Sequence, residues 1–336
     1  AGCRLLLHFG AVDQACRVYV NGKEAARHTG GYLPFSVDIT SYGVASAEWE
    51  LVLAVRDLSD TSCHARGKQK LKRGGMFYTA QSGIWQTVWM EYVPADHVQE
   101  ITAEPDLDKG TVQLLIRSAS DLPVKIQIRE PALYQNTEYV TGSGGAETSE
   151  APQDSGIKPA AAVAATAANK IISEQTGLSN HPLTIRLPVI RPWTCDEPYL
   201  YYFTVTMGAD QVTSYFALRS FTVKPDQNGI PRICLNGQPR FQNGVLDQGY
   251  WPDGLYTAPS DEALQFDIVE MKKMGFNTLR KHIKIEPQRW YYHCDRLGMI
   301  VWQDMVNGGS YYKHWFVTYA ATLLNLSHYK IPDTCL

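Results

Sequence analysis

The sequence has no large excess of charge of either sign, no long apolar run and no closely spaced cysteine pair. Lys plus Arg number 31 against 34 Asp plus Glu, which argues against a nucleic-acid binder or a polybasic membrane binder. No uncharged apolar run reaches the ~18 residues that a membrane helix needs, and the nearest, 159–168, is mostly alanine. The seven cysteines form no CxxC motif. We therefore expect no metal and no dithiol redox site, and a reducing compartment, the cytoplasm, is favoured.

The start of the chain carries no recognisable targeting signal. Ala1-Gly2-Cys3-Arg4 runs directly into Leu5-Leu6-Leu7-His8-Phe9, which is typical of a strand. No initiator Met, charged n-region or cleavage site precedes it, so we expect that a segment was removed or that the sequence is a piece of something longer. With 336 residues, of which 44% are apolar, the chain can form roughly two or three domains with sizeable cores.

The first stretch, to about residue 94, has the pattern of an all-β domain. Residues 17–20 lead into Asn21-Gly22, a strong hairpin signal because a type I′ turn needs positive φ at both central residues. Residues 48–56 alternate apolar and charged side chains, and residues 84–93 form a similar run. Each of these segments is predicted to be a strand.

A second β region is predicted between residues 95 and 224. Apolar residues alternate along 112–116 and 124–128, and further runs lie within 200–223. Short strands with polar turns favour a sandwich of immunoglobulin type. Residues 141–177 interrupt the pattern, since Gly, Ser, Ala, Pro and Glu dominate there, and we interpret them as a flexible surface insertion.

From about residue 225 the pattern changes to alternating strands and helices. One helix is predicted to begin after the N-cap Ser260 and to stop at Gly275, and another to begin at Glu286-Pro287 and to stop at Gly298. Strands are predicted at 241–246, 276–280 and 299–302. Two consecutive strand–helix–strand units imply a parallel sheet with right-handed crossovers. A parallel sheet of only three strands leaves apolar faces and one edge of the sheet uncovered. The chain on its own is therefore expected to self-associate.

Short motifs occur in an order that can be compared with known families. They are residues 7–13, Val20-Asn21-Gly22-Lys23, residues 30–35 and Ser82-Gly83-Ile84-Trp85-Gln86, then residues 241–247, Asn277-Thr278-Leu279-Arg280, residues 287–291 and residues 294–302. Together they closely resemble glycoside hydrolase family 2, which includes β-galactosidases, β-glucuronidases and β-mannosidases. The resemblance covers nearly the whole chain except residues 141–177.

The resemblance implies a multidomain β plus α/β architecture. Residues 1–94 would form a jelly-roll sugar-binding domain, 95–224 an immunoglobulin-like β-sandwich, and 225–336 the truncated start of a (β/α)8 barrel. Members of the family retain the configuration of the anomeric carbon. One glutamate protonates the leaving oxygen, and another, ~5 Å away, attacks the anomeric carbon.

The sequence departs from the family pattern at the catalytic residues. The family's acid/base is a glutamate that follows an asparagine, and the sequence contains no Asn-Glu dipeptide. The glutamates of the barrel portion, Glu262, Glu270 and Glu286, fall on predicted helices or at a helix start, where an acid usually interacts with the helix dipole. No catalytic residue is therefore assigned, and the chain alone is expected to be an inactive N-terminal fragment.

Several residues at predicted strand ends are candidates for substrate binding. Arg280 matches the family arginine that orients the nucleophile, although it can equally be an ordinary salt-bridged residue. His282 lies two residues later, where the family has its histidine three later, and it is either a pocket residue or a core residue. Strand alternation would turn Arg280, His282 and Lys284 to one side.

Asp247, Asp304 and Trp251 complete the substrate-binding candidates. Asp247 and Asp304 follow the first and third strands, at the rim where barrel enzymes bind substrate, and either bind sugar hydroxyls or cap loops. Trp251 either stacks on a sugar or plugs the barrel mouth. Residues 66–69 are either a loop that faces this mouth or, as the bare sequence favours, a plain basic loop.

The function that best fits is the N-terminal portion of a retaining exo-β-glycosidase of carbohydrate catabolism. Its partner would be a β-glycoside substrate, with no cofactor, no nucleic acid and no membrane, and a homo-oligomer is open for the longer protein. The alternative is a non-catalytic carbohydrate-binding protein. A purely structural protein has no positive signal in the sequence.

Overall fold

The computed structural model describes residues 2–43, 48–61, 64–129 and 170–306. The strands of the first β region are β1 Cys3–Phe9, β2 Val12–Asp13, β3 Ala15–Val20, β4 Lys23–Thr29, β5 Phe35–Asp38, β6 Leu51–Arg56, β7 Gln69–Lys70, β8 Tyr78–Thr79, β9 Gly83–Ile84 and β10 Val88–Pro94. Short 3-10 helices lie at Thr40–Tyr42 and Ser59–Thr61.

The first β region is built on two antiparallel sheets, β10-β1-β5 and β4-β3-β6. Their inward side chains share one apolar core, made of Leu5, Leu7, Phe9, Val12, Cys16, Val18, Val20, Val37 and Ile39. The hairpin predicted at Asn21-Gly22 is confirmed between β3 and β4, with φ of 50° and 75°. The single strand predicted at 84–93 is wrong, because β9 pairs with β2 while β10 pairs with β1.

The second β region also consists of two antiparallel sheets around one core. Its strands are β11 Glu100–Asp106, β12 Thr111–Arg117, β13 Pro123–Arg129, β14 Ile171–Leu178, β15 Leu183–Arg186, β16 Tyr201–Met207 and β17 Asp210–Phe216. The sheet orders are β11-β12-β15 and β14-β13-β16-β17. The alternating residues Val112, Leu114, Ile116, Val124, Ile126 and Ile128 all point into the core, as their spacing predicts.

The predicted insertion 141–177 is wrong at its C-terminal end. Residues 171–177 belong to strand β14, which pairs with β13 along its length, and Ile172 packs against the core. Backbone hydrogen bonds to a neighbouring strand do not depend on side-chain composition, so a polar segment can complete a sheet. Residues 141–169 lie outside the described residues.

The α/β region follows a small antiparallel sheet, β18 Phe221–Pro225, β19 Pro231–Leu235 and β20 Gln238–Pro239. Its elements are β21 Gly244–Asp247, α1 Asp261–Lys273, β22 Thr278–Lys281, α2 Gln288–Leu297 and β23 Ile300–Gln303. The predicted parallel sheet is confirmed, in the order β21-β22-β23. Ser260 caps α1 by accepting a hydrogen bond from Ala263 N at 3.2 Å, and Gly298 ends α2 with a φ of 75°. The part of this predicted region after residue 306 lies outside the described residues.

The two helices cover one face of the parallel sheet. Their contacts form an apolar cluster of Leu264, Ile268, Leu279, Trp290, Tyr291, Cys294 and Met299. On the opposite face, Leu246 and Trp302 remain 49% and 47% exposed. Among the described residues, no helix combines the length and the apolar character needed to cross a membrane.

The α/β region contacts both β regions. Helix α2 docks on the second β region, where Asp295 O accepts a hydrogen bond of 2.6 Å from Trp193 Nε1. The 248–257 loop, which follows β21, docks on the first β region, where Tyr256 Oη lies 3.1 Å from Tyr32 Oη and Thr257 Oγ1 donates to Trp85 O at 2.8 Å. These contacts place the first β region beside the carboxyl edge of the parallel sheet.

Candidate active site

The carboxyl edge of the parallel sheet is formed by one row of paired residues. Asp247, Lys281 and Gln303 end the three strands and lie in register. The chain then continues the sheet's hydrogen bonding, since His282 N donates to Asp247 O at 2.8 Å and Asp304 N donates to Lys281 O at 3.0 Å. In parallel α/β folds this edge is where ligands bind, so side chains that converge here are the candidates for function.

Arg280 and Asp304 form an ion pair at this edge. Arg280 Nε lies 3.1 Å from both carboxylate oxygens of Asp304, and Nη2 lies 2.9 Å from Oδ2. Arg280 shares its row with Leu246 and Trp302, on the face away from the helices, and its side chain is 52% exposed. Arg280 Nη1 makes no hydrogen bond to a described residue. The pair therefore presents one guanidinium nitrogen and an oriented carboxylate to the space above the sheet.

His282 lies beside this ion pair. Its Nε2 is 3.9 Å from Asp304 Oδ2, and its Nδ1 is buried without a hydrogen-bond partner among the described residues. Burial and the charge of Lys68 lower the pKa of His282, while Asp304 acts in the opposite direction. Of the predicted substrate-binding residues, the structure thus brings together Arg280, His282 and Asp304.

Asp247 faces away from these three residues, into a buried ion cluster. Its Oδ2 lies 2.8 Å from Lys281 Nζ, and Glu286 Oε1 accepts from Lys281 at 2.8 Å and from Lys284 at 2.9 Å. Burial opposes the charge of Lys281, but Glu286 and Asp247 outweigh it and raise its pKa. Burial lowers the pKa of Lys284. Sequence reasoning missed this cluster, although two lysines within five residues before a glutamate are a signal for it.

The prediction that Arg280, His282 and Lys284 share one side is wrong for Lys284. Strand β22 ends at Lys281, and Ile283 has a φ of 46°, so the alternation does not extend to Lys284. Lys284 Nζ instead turns into the interior and donates to Gly249 O at 2.6 Å and to Tyr256 O at 2.9 Å. These two hydrogen bonds hold the 248–257 loop against the buried Lys284 side chain.

Trp251 is half-buried within that same loop. It pairs with Leu255 through two backbone hydrogen bonds, of 2.7 and 3.2 Å, and its ring packs against the apolar cluster under the helices. Its ring therefore lies with the helix contacts, whereas Arg280 lies on the opposite face of the sheet.

The basic loop 66–69 of the first β region reaches the edge of the site. A Cβ atom on Gly67 would lie 2.6 Å from Ile283 O and 2.7 Å from Tyr256 Oη, and its φ is 63°. Only glycine allows this approach. The loop brings Lys68 close enough for its charge to act on His282. The bare sequence favoured a plain basic loop, and only the contact with Ile283 shows that it adjoins the candidate site.

Comparison with known proteins connects this arrangement to glycosidases. No family model matches the chain. The chain is 24% identical over 313 residues to a putative β-glucuronidase of Formosa agariphila, and 26% identical over 318 residues to a β-galactosidase of Thermoanaerobacter pseudethanolicus. These matches cover 89% and 90% of this chain, but 32% and 37% of the relatives. The chain therefore spans about a third of the length of these relatives.

The fold gives a second, independent similarity. A glycosyl hydrolase family 2 member from Bacteroides cellulosilyticus aligns with a TM-score of 0.63 and 19% identity, over 97% of this chain and 40% of that one. The chain shares the fold of glycoside hydrolase family 2. The resemblance that the sequence motifs indicate is confirmed, as a likeness to the N-terminal part of family 2 proteins.

The glutamates of the α/β region lie away from the open face of the parallel sheet. Glu262 lies in the first turn of α1, and Glu270 pairs with Lys273 at 2.7 Å in its last turn. Glu286, 5% exposed, is held by Lys281 and Lys284. None of the three ends a described strand.

Proposed function

We propose that this chain is the N-terminal portion of a retaining family 2 exo-β-glycosidase that hydrolyses O-glycosidic bonds of carbohydrates. The observation that carries the proposal is the Arg280–Asp304 pair, with His282 beside it, on the open face at the carboxyl edge of a parallel sheet. The sequence similarity to a β-glucuronidase and a β-galactosidase supports glycosides as the substrate class.

The proposed domain organisation follows the three groups of sheets. Residues 1–94 are a jelly-roll sugar-binding domain, 95–224 an immunoglobulin-like sandwich and 225–336 the first part of a (β/α)8 barrel. The separate cores of the two β regions and the parallel register of β21, β22 and β23 support these divisions.

Each residue of the site has a role in this proposal. A retaining mechanism needs a nucleophilic carboxylate, and a guanidinium keeps such a group ionised and oriented through charge-assisted hydrogen bonds. Arg280, with Nη1 directed to no described partner, is suited to that role. Asp304 and His282 are suited to accept from and donate to sugar hydroxyls. Asp247, whose Oδ1 accepts a hydrogen bond from Gly249 N at 2.9 Å, and Trp251, which packs against the helix cluster, are suited to hold the 248–257 loop beside the substrate.

The chain alone is proposed to be inactive. Retention requires two carboxyl groups ~5 Å apart across the substrate. The described glutamates of the α/β region lie on helix α1 or in the buried ion cluster, and the sequence contains no Asn-Glu dipeptide.

The test is an assay of the uninterrupted reading frame that contains this sequence. The expressed protein is expected to hydrolyse at least one of the 4-nitrophenyl β-D-glucuronide, galactoside and mannoside substrates, whereas the present chain should hydrolyse none. Arg280→Ala should lower kcat by about 100-fold, because an oriented charge at the reacting centre is lost. Arg232→Ala, which removes an exposed ion pair elsewhere, is the matched control and should leave kcat unchanged.

Two results would overturn the proposal. Turnover by the present chain would contradict its inactivity. Sugar binding without any turnover by the longer protein would favour the non-catalytic carbohydrate-binding alternative.

A further inference from the structure

A carboxyl group without a cation is buried where the first β region meets the α/β region. Asp13, on β2, is 4% exposed and forms no ion pair with a described residue. Gln69 Nε2 donates to its Oδ2 at 3.1 Å. A Cβ atom on Gly31 would lie 2.5 Å from its Oδ1, so the absence of a side chain at Gly31 makes room for the carboxyl group.

The groups around Asp13 do not favour its ionised form. Asp57 is a second carboxylate nearby, and it accepts hydrogen bonds from Ser59 N, Ser59 Oγ and Ser82 Oγ at 2.6, 3.0 and 2.5 Å. Burial and the charge of Asp57 raise the pKa of Asp13 to about 7, against the lowering effect of Gln69. In turn, the charge of Asp13 helps to raise the pKa of the hydroxyl groups of Tyr32, Tyr250 and Tyr256.

No cation of the described residues pairs with Asp13, although the buried Nε and Nη1 of Arg66 have no hydrogen-bond partner among them. Lys284 Nζ lies 4.8 Å from the centroid of the Tyr256 ring but is held by Glu286 at 2.9 Å. Arg66 contributes its backbone oxygen to Tyr256 Oη at 3.4 Å, and no ion pair joins its guanidinium to Asp13.

A chain of hydrogen bonds leads from Asp13 to the 248–257 loop. Gln69 donates to Asp13 through Nε2 and accepts from Gln81 N through Oε1 at 2.8 Å. Gln81 Oε1 in turn accepts from Tyr256 N at 3.0 Å. The orientation of the Gln69 amide is thus fixed by partners on either side. A change of charge at Asp13 changes the strength of its hydrogen bond from Gln69, the first bond of this chain. It also acts on the nearby hydroxyl groups of Tyr32, Tyr250 and Tyr256.

We propose that the proton on Asp13 controls how firmly the first β region docks against the 248–257 loop. With the proton bound, Asp13 brings no buried negative charge to the interface and the loop is held. When the proton leaves, a carboxylate without a cation faces Asp57 and the tyrosine cluster, and the docked state becomes less favourable. The 248–257 loop follows Asp247, at the carboxyl edge of the parallel sheet. The inference does not depend on the proposed function.

The sign of the pH dependence follows from linkage. The pKa of Asp13 is higher in the docked state than the usual 3.8 of an exposed carboxyl group. In the proposal, undocking exposes Asp13 to water and lowers its pKa toward 3.8. The docked state then binds the proton more tightly, and its advantage decreases as the pH rises through about 7. Docking should be firmer at pH 6 than at pH 8.

Hydrogen exchange of the Tyr256 amide tests the proposal on the chain as purified. After correction for the intrinsic exchange rate, its protection should fall by about tenfold between pH 6 and pH 8. Asp13→Asn should abolish this fall, and Glu104→Gln, an exposed acid of the second β region, should not. The amide of Trp193, which donates to Leu218 O in the second β region, should show no such fall in any variant.

Asp57→Asn provides a second, independent measurement. It removes the neighbouring carboxylate, so the midpoint of the Tyr256 protection curve should move to lower pH. A carboxyl ¹³C titration of the wild-type chain should show Asp13 titrating near the same midpoint. The proposal is wrong if Tyr256 protection has the same pH dependence with and without Asp13, or if the Asp13 carboxyl carbon titrates below pH 5. If the Asp13→Asn protein folds poorly, the Asp57→Asn protection curve and the ¹³C titration of the wild-type chain decide between the outcomes.

Discussion

Arg219 Nη1 lies 2.7 Å from Asp295 Oδ1, and this ion pair joins the second β region to helix α2. Both side chains are largely buried, at 12% and 5% exposure, and Asp295 Oδ2 also accepts from Tyr215 Oη at 3.0 Å. The ion pair fixes the position of helix α2 relative to the second β region. The Asp295 carboxylate, on the buried side of α2, makes both contacts.

Asp295→Asn is expected to destabilise the chain by about 3 kcal/mol, because it removes the carboxylate charge that pairs with the largely buried Arg219 guanidinium. Urea unfolding followed by circular dichroism measures the loss. The control is Asp196→Asn, which breaks the exposed pair with Arg240 and should cost about 0.5 kcal/mol or less. Equal losses in the two variants would contradict the role given to Asp295.

Gly67→Ala is expected to destabilise the chain through two effects. Its φ is positive, and its Cβ would meet Ile283 O at 2.6 Å. Gly22→Ala is the matched control, since Gly22 also has positive φ but a Cβ atom there would meet nothing within 4 Å. The first variant should exceed the second by about 1 kcal/mol or more in unfolding free energy, because a backbone oxygen cannot move aside cheaply. A similar cost at both sites would mean that the loop does not press on Ile283.

Lys68→Met is expected to raise the pKa of His282, because it removes a positive charge that disfavours the imidazolium form. Asp304→Asn should have the opposite effect. An NMR titration of the His282 ring protons measures both shifts. Lys70→Met is the control: Lys70 belongs to the same loop region but lies over the Phe77 ring, and its removal should leave the His282 titration unchanged.

Asp261→Asn is expected to weaken the contact between the two helices, because it removes the charge that pairs with Arg289 of α2. The cost should be only about 1 kcal/mol, because solvent screens this partly exposed group. Burial opposes the ionised form, but hydrogen bonds from Arg289 and His293 outweigh it and lower the pKa of Asp261 to about 2. A lowered folded-state pKa gives stability that is present above 3.8 and is lost as the pH falls through about 2. The difference between wild type and variant in thermal unfolding should therefore persist at pH 4 and shrink by about half at pH 3. A difference that vanishes already at pH 5 would exclude this ion pair as its source.

The open face of the parallel sheet is expected to drive self-association of the chain. Leu246 and Trp302 are each about half exposed there, although they belong to a sheet whose other face is packed. Light scattering after size exclusion should show oligomers or aggregate, and Leu246→Lys should reduce them. Val223→Lys, at a residue 68% exposed on a separate hairpin, is the control and should have little effect.

The element types of the α/β region were predictable because their signals are local. Ser260 and Gly298 mark helix ends through backbone geometry that a single residue sets, and the parallel sheet follows from two strand–helix–strand units. The strand over residues 171–177 was not predictable, because its pairing with β13 depends on a neighbour distant in sequence. The proximity of Arg280, His282 and Asp304 was predictable in part, since all three lie at or just after strand ends.

By itself, the sequence determined the β-rich architecture, the parallel sheet and the likeness to family 2, because periodicity, caps and motif order are properties of short segments. Only the tertiary structure decided which charged groups face each other. Lys281 and Arg280 are neighbours in sequence, yet one is buried against Glu286 and the other lies open beside Asp304. Asp13 and Tyr256, separated by most of the chain, share one buried cluster because the first β region folds back onto the α/β region. Charge in a protein acts through distance and burial, and neither is fixed until the domains have packed.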